Sequence, residues 1–135
     1  MYSSLGPVLV AGPEQVSRAL GEALAARQLD AAAACFTRDA CFITPDATEI
    51  HGRGEIRQIL AQLIGAGAGI EVVSSSVLQA GEVALGSECW RIHQPGVNGR
   101  GPFERICTAT VVLHAVEGDW KLAVAAPWGW GPERG

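Results

Sequence analysis

The sequence predicts an α+β domain in which helices cover one face of an antiparallel sheet. Two observations carry this reading. Apolar residues recur at helical intervals through the first half of the chain and in strand-like runs through the second, and helices followed by a run of strands specify two layers with no parallel crossover required. At 135 residues the chain has room for one domain with one core, so residues 1–135 read as a single unit whose packed part spans about 13–128.

Val16, Ala19, Leu20, Ala23 and Leu24 share one helical face, and Pro13 followed by Glu14 suits a helix start, which places a first helix over Pro13 to Gln28. Asp30 can cap a short second helix over the alanine-rich stretch Ala31–Phe36. Ala40–Thr44 is a short run of strand formers closed by Pro45, with Ile50 and His51 able to pair back as a brief hairpin. Ile56, Ile59, Leu60, Leu63 and Ile64 define a third amphipathic helix, stopped by Gly65-Ala66-Gly67-Ala68-Gly69. Ile70–Gln79, Glu82–His93, Glu104–His114 and Trp120–Pro127 then read as four antiparallel strands. Ala80–Gly81 and Val116–Asp119 are short enough for hairpins, whereas Gln94–Pro102, rich in glycine, is a longer loop able to lie over a pocket mouth.

Hydrophobic residues make up 48% of the chain and charged ones 18%, a globular balance. The formal net charge of -4, with no stripe of Lys and Arg to follow successive phosphates, argues against nucleic acid as a partner. The apolar run Val8 to Ala11 lacks a basic flank and is broken by Gly12 and Pro13, so neither a membrane span nor a signal segment is expected, and the reading is cytoplasmic. Cys35, Cys41, Cys89 and Cys107 lie at wide spacings without CxxC, which reads as buried thiols and predicts no metal site. Glycines 65, 67 and 69 neither follow a strand nor open a lysine-bearing helix, and no cofactor is expected.

The segments ARQLDAAAACF, DACFITPD, HGRGEI and GDWKLAV, in this order of elements, resemble the nuclear transport factor 2-like superfamily, in its SnoaL-like and ketosteroid-isomerase-like branch, over about Pro13 to Trp128. The resemblance implies a cystatin-like, cone-shaped curved sheet on three N-terminal helices, a pocket between them, and dimerisation through the opposite sheet face. It also implies one of several chemistries, among them isomerase, polyketide cyclase, epoxide hydrolase and dehydratase, or ligand binding without catalysis. The three isomerase roles are vacant. The base aspartate position falls in Ile43-Thr44-Pro45-Asp46, the oxyanion-hole tyrosine falls near Leu20, and the protonated aspartate falls near Thr108–Thr110. Steroid isomerisation, which needs a carboxylate base and acidic donors at the enolate oxygen, is therefore disfavoured.

Strand alternation puts Leu85, Ser87, Cys89, Arg91 and His93 on one face and Ala84, Gly86, Glu88, Trp90 and Ile92 on the other. Ungapped matching to the isomerase pattern places Cys89, Arg91 and His93 in the pocket, and a slip of one residue exchanges them for Glu88 and Trp90. His93, at a strand end beside the glycine-rich loop, is the candidate for proton transfer, with Asp46 as its acid–base partner across the pocket rim. His51 and His114 read as turn and strand-end residues. Leu20, Thr44, Cys89, Arg91, Thr108 and Thr110 are the expected substrate contacts, the threonines through their hydroxyls; Arg91 and Arg105 can each bind a carboxylate or enolate, or else pair with Glu88, Glu104 or Asp119 on neighbouring strands. Trp128, with Trp130 in PWGWG, follows the last strand where the chain can fold across a pocket mouth or a dimer seam. The expected function is a cofactor-free enzyme of cyclase, isomerase or dehydratase type, acting by proton transfer on a hydrophobic, oxygenated small molecule. The alternative is a non-catalytic ligand-binding or dimeric interaction protein on the same fold.

Overall fold

In the computed structural model, residues 12–44, 47–96 and 101–127 are described. Asp46, Trp128, Trp130 and the centre of the Gln94–Pro102 loop lie outside them.

A 3-10 turn at Pro13–Gln15 leads into α1 (Val16–Ala25), shorter than the helix expected over Pro13 to Gln28. The helix stops because Arg27 adopts a left-handed backbone (φ 59), which lets Gln28 N–H reach back to Ala23 O at 2.9 Å. α2 (Leu29–Ala33) starts two residues earlier than expected, and Asp30 sits in its first turn rather than capping it. Strand β1 (Phe36–Ile43) therefore begins well before Ala40 and pairs with the three-residue β2 (Glu49–His51) as the expected hairpin. α3 (Arg53–Gly65) ends on the same device as α1, with Gly67 at φ 72 and Ala68 N–H bonded to Leu63 O.

Four long strands follow: β3 (Gly69–Ala80), β4 (Val83–Gln94), β5 (Phe103–Val116) and β6 (Asp119–Ala126). They form an antiparallel meander, as the sequence predicts, in a six-stranded sheet of order β2-β1-β6-β5-β4-β3. One pairing corrects the expectation of a wholly antiparallel sheet, because β1 lies parallel to β6. The α3 crossover returns the chain to the far edge, and the meander then brings its last strand back alongside the first. The sheet is thus mixed. Register shifts between Val72 and Ser74, between Val112 and Leu113, and in β1 between Phe36 and Cys41 bend it into an open, curved layer.

The helices fill the concave side. Val16, Leu20, Ala23 and Leu24 from α1, Ala32 and Ala33 from α2, and Ile56 and Leu60 from α3 are buried against Phe36, Phe42, Val72, Trp90, Val111, Leu113 and Leu122 of the sheet. Burying each large aliphatic side chain is worth roughly 1.5–3 kcal/mol. The opposite sheet face is exposed and carries Leu78, Leu85 and Ile106.

Candidate functional site

The register of β4 decides which side chains can reach a ligand. Ala84, Gly86, Glu88, Trp90 and Ile92 are all buried on the concave face, and Leu85, Ser87, Cys89, Arg91 and His93 stand on the convex one. The parity is the reverse of the one favoured by ungapped matching. The fully buried Trp90 is the anchor, because its large ring is withdrawn from water only where the helices cover the sheet, on the concave side. It brings Glu88 inside as well, and that carboxylate accepts hydrogen bonds from Trp90 Nε1 at 2.8 Å and from Ser75 Oγ at 3.0 Å.

The cavity lies at one end of the concave face, beyond this buried group. It encloses about 290 Å³ and is walled by Leu24 of α1, Ile59 and Leu63 of α3, Phe42 and Thr44 at the end of β1, and Ala68, Gly69 and Ile70 entering β3. Ile92, Gln94, Arg105 and Pro127 complete it. Its size is near the lower end for small-molecule pockets, roughly 300–1,000 Å³. Thr44, Gln94 and Arg105 bring the polar side chains, with Arg105 exposed and Gln94 half-buried, so the site has an apolar body and a polar mouth. Among the described lining residues there is no carboxylate or imidazole.

Thr44 is the expected contact that lines this cavity. It also closes the hairpin turn. Its Oγ1 accepts from Thr48 N–H at 3.1 Å, and its own N–H bonds to Thr48 O at 3.0 Å, so Thr44 and Thr48 hold each other where β1 ends and β2 is about to begin. Leu20 is wholly buried in the core one turn before Leu24 and does not reach the cavity. Cys89, Thr108 and Thr110 lie on the convex face, Cys89 directly opposite Thr108. Arg91, on the same face, is held by Glu71 Oε1 at 2.7 Å and Glu104 Oε2 at 3.2 Å. His93 is exposed there, its imidazole lying where a side chain on Gly69 would stand. Asp46 and Trp128 fall outside the described residues.

Burial pushes the Cys35 thiol up against the opposing effect of Lys121, and pushes Cys107 up against that of Arg105. Cys41 is likewise raised by burial and by the Glu49 charge. At neutral pH these groups are thiols, not the thiolates that nucleophilic catalysis requires.

Gln94 and the apolar wall were absent from the expected contacts. The signal that finds them is the side-chain sum along β4: Trp90 and Ile92 against Arg91 and His93 favour the even-numbered residues as the inner set. Pairing of Ile92 with Arg105 then carries that face onto β5.

A family model described as a SnoaL-like domain matches residues 14–125. No curated protein sequence matches the chain. Among solved structures, a proposed dehydratase of the NTF2-like family from Streptomyces avermitilis is similar at 19% identity and a TM-score of 0.70, covering 83% of this chain and 90% of that one. A candidate aromatic ring hydroxylase from Novosphingobium aromaticivorans is similar at 18% identity and a TM-score of 0.74, covering 87% and 86%. A candidate calcium/calmodulin-dependent protein kinase II association domain from Xanthomonas campestris is similar at 15% identity and a TM-score of 0.73, covering 98% and 99%. At these identities the likeness is one of fold.

Proposed function

The chain belongs to the SnoaL-like domain family, and from that premise we propose that its cavity takes up a hydrophobic, oxygen-bearing small molecule and turns it over by acid–base proton transfer without a cofactor. The observation that carries this reading is the cavity itself, an apolar chamber of about 290 Å³ with Thr44, Gln94 and Arg105 at its polar end. An apolar ring system would fill the chamber formed by Leu24, Phe42, Ile59, Leu63 and Ile92, and a carbonyl, enolate or carboxylate would meet Arg105 and Gln94. The guanidinium there can stabilise negative charge that develops on oxygen as a neighbouring C–H proton leaves.

Proton transfer needs a base, and on this reading the role falls to Asp46, two residues beyond Thr44 in the sequence. His93, on the convex face, does not share that site. Confinement and orientation of the substrate would supply much of the rate. Cyclase, isomerase and dehydratase chemistries all fit this arrangement. The non-catalytic alternative is favoured by the lining itself, which among described residues offers no acid–base group. Screening the protein against hydrophobic ketones and β-hydroxy ketones for solvent deuterium incorporation or water loss tests the enzyme reading. Activity abolished in Asp46→Asn with ligand binding retained supports it. Tight ligand binding without turnover in the wild-type chain would leave the binding-protein reading.

We further propose that the convex face pairs two copies of the chain. Leu78 is 74% exposed, Ile106 60% and Leu85 50% on that face, an apolar surface of the kind subunit contacts cover. Free cysteines at four positions suit a reducing compartment, and we place the protein in the cytoplasm on that basis. Among the described residues no helix is long and apolar enough to cross a membrane.

A further inference from the structure

At the opposite end of the convex face from Leu78, the β1–β2 hairpin brings together three side chains that are scattered in the sequence. Cys41 pairs directly with His51, and Glu49 stands diagonally across from Cys41 on the same face, opposite Ile43. Their ligating atoms, Cys41 Sγ, a Glu49 carboxylate oxygen and a His51 ring nitrogen, all lie within 4.8 Å of one another. His51 Nε2 and Glu49 Oε1 are already 3.0 Å apart. The absence of close-set Cys and His in the sequence argues against a metal site, but that argument assumes ligands on a single loop. A hairpin satisfies the same geometry with residues ten apart, because strand pairing fixes which side chains face each other.

We propose that Cys41, Glu49 and His51 form a binding site for a single divalent zinc-like ion. Thiolate, imidazole and carboxylate together are the donor set that zinc prefers among common divalent ions. With metal–ligand bonds of about 2.0–2.3 Å, two donors on a tetrahedral ion stand roughly 3.5 Å apart, so closing the cluster needs side-chain movement on the order of 1 Å. Binding replaces the Cys41 S–H bond with a sulfur–metal bond, and the proton goes to solvent. Three protein ligands would leave a fourth position for water or another donor, and Cys41 and Glu49 also line a shallow depression with Val112 and Val124. The ion would tie the three-residue β2 to β1 and so brace the turn that begins at Thr44, a cavity-lining residue. The inference does not rest on the small-molecule reading of the cavity.

The full-length chain, stripped with chelator and kept reduced, is titrated with Co²⁺ and then with Zn²⁺. The expected result is a sulfur-to-cobalt charge-transfer band in the near ultraviolet that saturates at one ion per chain and is lost on addition of Zn²⁺. Cys41→Ser should abolish the band, and His51→Ala and Glu49→Gln should each weaken affinity at least tenfold, with circular dichroism confirming that all three variants fold. Absence of the band in the wild-type chain, its persistence in Cys41→Ser, or affinity unchanged by His51→Ala would each overturn the proposal.

Discussion

Trp90 donates its indole N–H to the carboxylate of Glu88 two residues earlier on the same strand, at 2.8 Å and with both side chains buried. The pair fixes the inner face of β4. Ser75 Oγ, from the neighbouring β3, satisfies the second carboxylate oxygen. Glu88→Leu would leave an indole N–H and a hydroxyl without an acceptor, each costing about 1–3 kcal/mol. The expected loss is about 2–6 kcal/mol, read as a lower urea midpoint at constant slope. Glu88→Gln, whose amide oxygen can still accept from Trp90, should lose about 1 kcal/mol. Equal stability of Glu88→Leu and the wild-type chain would mean that this group does not hold the strand.

The same pair shows why the architecture was legible in the sequence while the site was not. Helical intervals in α1 and α3, and turn residues such as Gly81 and Gly118, each report a local conformation that one stretch of chain largely determines. Which face of β4 turns inward is a different kind of fact. On sequence grounds Glu88 looks too polar to bury, and its acceptability depends on Ser75, thirteen residues away, which the register of β3 against β4 sets directly opposite it. The parallel β1–β6 contact is equally non-local, since nothing within either strand announces the other. Thr44, singled out through the resemblance of Ile43-Thr44-Pro45-Asp46 to the isomerase pattern, does line the cavity. Arg91 and Arg105 are equivalent candidates in the sequence, and only the register of the partner strands separates them, with Arg105 beside Ile92 at the cavity and Arg91 on the convex face.

Arg105 supplies the cationic group at the cavity mouth. If it receives the oxygen end of a ligand, hydrophobic carboxylic acids should bind better than their methyl esters, and Arg105→Leu should erase that preference. A hydrogen bond to a charged group contributes about 1.5–3 kcal/mol, so the expected loss of acid affinity is about 10- to 100-fold, with ester binding nearly unchanged. Isothermal titration of a matched acid and ester series against both proteins measures it. An undiminished acid preference in the variant would move recognition to Gln94 or Thr44.

The convex face offers a test of assembly that leaves the cavity untouched. Leu78 and Leu85 stand directly opposite each other on β3 and β4, both pointing away from the core. Leu85→Lys places a charge in the middle of that apolar row, and burying it in a subunit seam would cost several kcal/mol. Light scattering should give a dimer for the wild-type chain and a monomer for Leu85→Lys, with thermal stability lowered in a concentration-dependent way. A wild-type monomer at micromolar concentration would remove the proposed seam.

Ser17 and Gly21, one turn apart on α1, predict opposite outcomes for the same replacement. The hydroxyl of Ser17 is fully buried with no hydrogen-bond partner among the described residues, and alanine removes that unsatisfied group while favouring the helix. Ser17→Ala should therefore stabilise the fold by about 1 kcal/mol. At Gly21 a Cβ would fall on the Ile70 carbonyl oxygen of β3, a backbone atom that cannot rotate away. Alanine's helix advantage over glycine of about 1 kcal/mol is then outweighed by overpacking of about 1–3 kcal/mol. Gly21→Ala should lower the urea midpoint and, because Ile70 also walls the cavity, weaken ligand binding at the same time. A stabilised Gly21→Ala variant would show that α1 can retreat from β3 without loss, and the close approach of helix and strand would no longer account for glycine at this position.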